Sequence, residues 1–114
     1  MTDTIPAPTP AALAELEASA APAARLMRLF GNEQRLMLMC RLSDGACAVG
    51  ELASFVGLSQ SACSQHLARL REEGVISPRR EAQTIYYSIV DPAAARVIAL
   101  LCDIYGGKTK GVTS

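Results

Sequence analysis

Short, uncharged hydrogen-bonding side chains are concentrated between residues 59 and 66 of this sequence. The residues that could act together are Ser59, Gln60, Ser61, Ser64, Gln65, His66 and, one turn further on, Arg69. Unlike the Lys and Glu of an ordinary solvated helix, Ser and Gln can approach another surface with little desolvation cost. Glutamine also donates and accepts at once, which matches N6 and N7 of adenine. The pattern favours the reading of base edges in duplex DNA over a polar helix surface without a partner.

The spacing of these residues predicts one helix, from Gln60 to Glu73, with Ser59 as its N-cap and Gly74 as its stop. Its core side consists of Cys63, Leu67 and Leu70, and its opposite side of Ser61, Ser64, Gln65, Ala68 and Arg69. Gln60 is expected to point away from Leu67 and Leu70. The first amides of this helix and the Ser59 hydroxyl can hold a backbone phosphate.

The residues on either side of this helix predict how it is positioned. A short helix over Gly50 to Val56 precedes it, and Gly57 suits a turn that needs a positive φ. This arrangement is a helix-turn-helix. After the helix, strands over 75–79 and 84–89 with a polar connection over 80–83 predict a β-hairpin. Arg80 and Gln83 in that connection are expected to reach DNA beside the main contact.

Helix signals continue at both ends of the chain. The predicted helices start at Pro10, about Pro22, Glu33 and Pro92, and the last one runs to about Tyr105. The fold class is therefore mainly α with a small β-hairpin, in the order α-α-α-α-β-β-α of a winged helix-turn-helix. We predict a disordered arm over residues 1–8, one domain over 9–107 and a flexible tail over 108–114.

Composition restricts the possible functions without selecting one. The net charge is zero, but residues 25–90 carry eight Arg against six acids, which permits DNA binding. A single His and the lack of phosphate loops or a nucleophile with its base argue against an enzyme, and we predict no cofactor and no metal. The lack of a basic leader, of a membrane span and of a disulfide framework predicts a cytoplasmic protein, associated with the nucleoid.

These residues also resemble the ArsR/SmtB family of homodimeric repressors. Segments that carry the resemblance are 34–40, 58–62, 64–67 and the wing over 79–88, within residues 23–106. The wing and the ending Asp103–Gly106 are similar to the NolR-like branch. The resemblance implies a homodimer joined through the first and last helices, an imperfect palindrome as its DNA partner, and repression by occupying promoters. It leaves the inducer unknown.

The four cysteines leave a sensing role open. Cys40 matches one cysteine of the family's sulfide-responsive BigR branch, whereas the other falls on Gly106, one turn beyond Cys102. A thiol sensor using Cys40 and Cys102 is therefore one alternative, and a winged module that binds protein instead of DNA is another. Cys63 is expected to be an inert core residue and Cys47 an exposed thiol. The family's metal sites lack their ligands here, because residues 50–56 hold no Cys and Asp103 has no His beside it.

Overall fold

The computed structural model describes residues 6–106, so residues 1–5 of the predicted arm and the predicted tail over 108–114 lie outside it. The helices are α1 Pro10–Ala18, α2 Ala20–Phe30, α3 Glu33–Leu42, α4 Val49–Val56, α5 Gln60–Glu72 and α6 Pro92–Leu101, which continues as a π-helical turn over Cys102–Gly106. The strands are β1 Cys47–Ala48, β2 Ile76–Glu81 and β3 Thr84–Ile89. The fold is the predicted winged helix-turn-helix.

Local capping fixes where most of the helices begin. The side chains that accept a first-turn amide are those of Thr9, Asn32, Ser59 and Asp91. Each lies directly before its helix, and proline follows at the first helical position of α1 and α6, where its missing N–H costs nothing. These starts were readable from sequence because a cap acts over only two or three residues.

The structure separates the two predicted N-terminal helices and adds one strand to the predicted elements. The N-terminal region forms two helices, α1 and α2, which are separated at Ser19, and Pro22 lies in the first turn of α2. In addition, β1 pairs with β3, so the wing is a three-stranded antiparallel sheet with strand order β1-β3-β2. Cys47 lies in β1 with no exposed surface, so the prediction of an exposed thiol is wrong.

The wing hairpin is longer and its turn shorter than predicted. Glu81 pairs with Thr84, which leaves only Ala82 and Gln83 to connect β2 and β3. Arg80 therefore belongs to β2 and not to the connection. Ala82 has φ 56°, a left-handed conformation that suits the first position of a two-residue turn but that a non-glycine residue adopts at a cost of about 1–2 kcal/mol.

The core lies between α2, α3, the helix-turn-helix, the base of the wing and α6. Its largest fully buried side chains are Leu29, Leu38, Met39, Leu52, Leu67, Leu70, Ile98, Val75, Cys47 and Cys63. Helix α1 contributes no buried residue. Among residues 6–106, no helix is long and apolar enough to cross a bilayer.

Candidate nucleic-acid interface

The turn between α4 and α5 has the geometry that Gly57 predicted. Gly57 adopts φ 73° and ψ 35°, which costs little in a residue without a β-carbon. The amide of Leu58 then donates to the carbonyl of Ala53 at 2.9 Å and closes the C-terminus of α4. Ser59 Oγ accepts from the amide of Ala62 at 3.1 Å and opens α5. These bonds fix the angle at which α5 leaves the core.

Helix α5 has a buried side and a polar solvent side, as its spacing predicts. Cys63, Leu67 and Leu70 are at most 1% exposed and anchor the helix to the core. Exposed residues of α5 from the predicted set are Gln60, Ser61, Ser64, Gln65 and Arg69. The structure thus exposes these hydrogen-bonding groups together along α5. Their contact with DNA remains a prediction.

Gln60 does not point away from Leu67 as expected, because the two residues lie seven positions apart, nearly two full turns. Its side chain is nevertheless exposed and lies beside the first turn of α4. The Gln60 Nε2 atom lies 3.5 Å from the position that a β-carbon on Gly50 would occupy. The Gln60 side-chain amide thus lies at ordinary packing distance beside Gly50, a contact that no local sequence signal indicates.

His66 lies on α5 but its side chain contacts α3. Its Nε2 atom lies 3.3 Å from Oε1 of Gln34, and the side chain is half-buried. Burial, reinforced by the charge of Arg35, lowers the pKa of His66 below its usual range. Arg35 itself donates to the backbone carbonyls of Leu29 and Arg28, both at 3.2 Å, at the C-terminus of α2. His66 thus links α5 to α3 near the junction of α3 with α2.

The arginines near α5 and the wing differ in how far they are neutralised. Arg69 Nε lies 3.8 Å from Glu73, which also approaches Arg25 at 3.8 Å. Arg79 pairs with Glu81 at 3.0 Å and lies 5.7 Å from the centre of the Tyr86 ring.

Arg80 has no such partner among the salt bridges found within residues 6–106. It pairs in register with Ile85, and the alternation of a strand places both on the same wing face as Tyr87. That face is directed towards α5, because Tyr87 lines a groove with Ser64 and Ala68 of that helix. Gln83 is exposed in the connecting turn.

Two of the four thiols, Cys40 of α3 and Cys102 of the π-helical turn after α6, lie near each other. Burial raises the pKa of Cys40, and the adjacent Cys102 raises it further through its charge and a hydrogen bond. Both residues are half-buried and both are free thiols. Cys102, although one turn from the expected position, thus lies near enough to Cys40 to influence its pKa. Within residues 6–106, no group of three or more His, Cys, Asp or Glu could hold a metal ion.

Comparison with known proteins decides the family. The model of the bacterial regulatory protein arsR family matches residues 32–77, from the cap of α3 into β2. The nodulation protein NolR of Rhizobium meliloti is 47% identical over 90 residues, which cover 79% of this chain and 74% of NolR. The chain belongs to the arsR family.

Solved structures place this arsR-family regulator beside two further relatives. Reduced HlyU from Vibrio cholerae superposes with a TM-score of 0.76 at 44% identity, covering 80% of this chain and 96% of HlyU. The transcriptional repressor BigR from Xylella fastidiosa gives 0.75 at 35% identity, covering 80% and 93%. The resemblance to the NolR and BigR branches is thus confirmed.

The family assignment establishes the general activity of the protein. It is a DNA-binding transcriptional regulator of a non-enzymatic family. The sign of regulation is not common to its relatives, because HlyU of Vibrio cholerae is described as a transcriptional activator and BigR as a repressor. Sequence reasoning missed three features of the interface: the support of Gln60 by Gly50, the link from His66 to Gln34, and the groove beside Tyr87.

Proposed function

We propose that this arsR-family protein is a sequence-specific repressor that binds an imperfect inverted repeat in duplex DNA as a homodimer. The observation that carries the proposal is the solvent side of α5, where exposed Ser and Gln side chains replace the usual Lys and Glu. An α-helix fits the major groove, where each base pair presents a distinct set of donors and acceptors. The protein acts in the cytoplasm, on DNA of the nucleoid.

Each residue of α5 has a role that follows from its place on the helix. Gln60, Ser61, Ser64 and Gln65 face base edges from the first two turns. The Ser59 hydroxyl and the first-turn amides hold a phosphate at the positive end of the helix dipole. His66 and Arg69 lie towards α3 and contact the DNA backbone, where the nearby Glu73 carboxylate partly offsets the positive charge of Arg69.

The wing contributes contacts beside the major groove. Arg80 has no carboxylate partner within residues 6–106 and Gln83 is exposed at the turn. A cation in this place attracts flanking phosphates or the narrow minor groove. Arg79 instead stiffens the wing, since its charge is engaged by Glu81 and by the Tyr86 ring.

Dimerisation through α1 and α6 is supported by apolar surface that one chain leaves uncovered. Leu13 and Leu16 of α1 are 48% and 56% exposed, and Leu100 and Ile104 are 56% and 57% exposed. Isolated helices of this length are marginal in water, so α1 needs a packing partner. Two symmetric copies of α5 would then enter successive major grooves, roughly 34–36 Å apart.

Selection of bound sequences from random duplex DNA at a stated salt concentration tests this proposal. An enriched inverted repeat with half-sites one helical turn apart is the expected result. Gln60→Ala and Arg28→Gln serve as the interface variant and its surface control, since Arg28 is exposed on α2 and is not among the predicted DNA-contacting residues. Failure to enrich any duplex, with no salt-dependent affinity, would instead favour a winged module that binds protein.

A second candidate function is a thiol switch at Cys40 and Cys102, and the adjacency of the two thiols favours it. Joining the two Sγ atoms breaks both S–H bonds and releases two protons and two electrons, which a peroxide or persulfide must accept. A disulfide there would tie α3 to the end of α6 and could alter the spacing of the two α5 helices. Release from DNA by mild oxidant, absent in Cys102→Ser, is the result that this candidate requires.

A further inference from the structure

We infer that the groove between α5 and the wing is a second DNA-backbone site, in which Arg71 and Tyr87 hold one phosphodiester group. The inference deepens the proposed function and rests on it. The groove is lined by Ser64, Ala68, Arg71 and Glu72 of α5 and by Tyr87 of β3, and its volume is about 420 Å³. A water occupies about 30 Å³, so a phosphate with several waters fits.

Helical geometry separates this groove from the contact between α5 and α3. At 3.6 residues per turn, Gln60, Ser64 and Arg71 lie within about 40° of one another around α5. His66 lies on the other side of the buried stripe, where it meets Gln34. A line of side chains therefore runs from the base-reading end of α5 along its wing side, and Arg71 is the cation on that line.

The charge of Arg71 is not neutralised within the part of the chain that the structure describes. The salt bridges found there join Arg25 and Arg69 to Glu73, and Arg79 to Glu81. The arginines without a carboxylate partner near the wing are Arg71 and Arg80. Both are exposed, and both belong to the two surfaces that face each other across the groove. Because neither guanidinium group forms one of these salt bridges, both are available to a bound anion.

Tyr87 supplies a donor in the same place. Its ring packs against the core, so the phenol is held in one orientation. Within residues 6–106, every fully buried side-chain oxygen and nitrogen has a hydrogen-bond partner. The Tyr87 hydroxyl has no such partner, so it is not fully buried and is accessible to solvent in the groove. Cys47 pairs with Tyr87 across the sheet and fixes the strand at this height. Phosphate oxygens accept from both Tyr hydroxyls and Arg guanidinium groups.

Glu72 lines the groove beside Arg71 and provides a second charge by which the phosphate site can be tested. It is exposed and forms none of the salt bridges found within residues 6–106. A carboxylate next to a bound phosphate repels it, whereas a carboxylate far from DNA has no such effect. The groove therefore predicts opposite signs for two adjacent residues: loss of charge at Arg71 weakens binding and loss of charge at Glu72 strengthens it.

The experiment measures the affinity of the full chain for its selected operator and for random duplex DNA across a salt series. Arg71→Gln should lower both affinities about tenfold per subunit, the loss of one charge-assisted hydrogen bond, and make the salt slope shallower by about 0.9 per subunit. Tyr87→Phe should weaken both affinities by a smaller factor at an unchanged slope. Glu72→Gln should tighten both, and Arg28→Gln should change neither.

The outcomes separate this inference from the proposed function. Wild-type protein that binds no duplex in a salt-dependent way overturns the proposed function itself. Wild-type binding with Arg71→Gln equal to Arg28→Gln overturns only the groove. Equal effects of Glu72→Gln and Arg71→Gln, both weakening, would show that the region matters through folding and not through charge. Thermal unfolding of each variant confirms that the compared proteins are folded.

Discussion

The side-chain nitrogen Nε2 of Gln60 lies 3.5 Å from the position that a β-carbon on Gly50 would occupy. This proximity joins the first turn of α5 to the first turn of α4, beside the side chain that we assign to base reading. Gln60→Ala should lower operator affinity by about 1–3 kcal/mol per half-site and relax preference at one base pair. Competition binding with operator and random duplexes measures this. Equal losses on both would show that Gln60 only positions the helix.

Gly50 provides a graded test of the same contact. A β-carbon there meets Gln60 at an ordinary van der Waals distance, so Gly50→Ala should keep operator preference and stabilise α4 by about 0.5–1 kcal/mol. Gly50→Leu should displace the Gln60 amide and relax the same base preference as Gln60→Ala. Chemical denaturation and sequence selection on both variants give the two readings. Unchanged preference in Gly50→Leu would contradict the support role.

The wing predicts different behaviour for two adjacent arginines. Arg80→Ala should weaken binding to all duplexes alike and make the salt slope shallower by about 0.9 per subunit, because a free cation is lost. Arg79→Ala should change the slope less, since the Arg79 charge is already paired with Glu81 at 3.0 Å. Salt titrations of both variants beside Arg28→Gln distinguish the two residues. A larger slope change for Arg79 than for Arg80 would reverse the assignment.

The proposed dimer depends on the exposed end of α6. Ile104→Glu places a charge on a side chain that is 57% exposed in the single chain, so the fold should tolerate it. If this surface is the interface, burying that charge should raise the dimer dissociation constant at least tenfold, since an unsatisfied polar group costs about 1–3 kcal/mol. Sedimentation velocity at micromolar concentration reports the change. Met37→Glu, at a 41% exposed position on α3, is the control.

The pH dependence of stability should report on His66, the only histidine in the chain. Burial lowers the pKa of His66 in the folded state, so the unfolded chain takes up the proton first as the pH falls. The contribution is therefore present above the unfolded pKa of about 6.5 and is lost as the pH falls through the lower, folded pKa. His66→Gln should remove this loss between about pH 7.5 and 5.5. Urea denaturation at both values tests it, and the same slope in the variant would exclude His66.

The thiol pair should be dispensable for DNA binding. Cys40→Ser and Cys102→Ser are each expected to keep operator affinity within a few-fold. The raised pKa of Cys40 predicts slow alkylation near neutral pH, with a midpoint above the usual value of about 8.5. Because Cys102 is the second cause of that shift after burial, Cys102→Ala should move the midpoint down. Alkylation rates followed by mass spectrometry give the midpoint, and an unchanged value would mean that burial acts alone.

The sequence by itself determined the elements that depend on neighbours along the chain. Ser59, Gly57 and Asp91 act on amides or backbone angles within three residues, so helix starts and the turn could be predicted from them. The 3.6-residue spacing of Cys63, Leu67 and Leu70 likewise fixed the buried side of α5. The opposite, polar side of α5 followed from the same spacing, and its Ser and Gln residues led to the prediction that α5 contacts DNA.

Only the tertiary structure decided which residues meet across elements. The burial of Cys47 depends on pairing with Tyr87, forty residues later in the chain. Helix packing brings Gln60 next to Gly50, and Cys40 near Cys102. Strand register determines that Arg79 pairs with Glu81 whereas Arg80 forms no salt bridge within residues 6–106. Such contacts arise from the balance of the whole core, so no short window of sequence contains them.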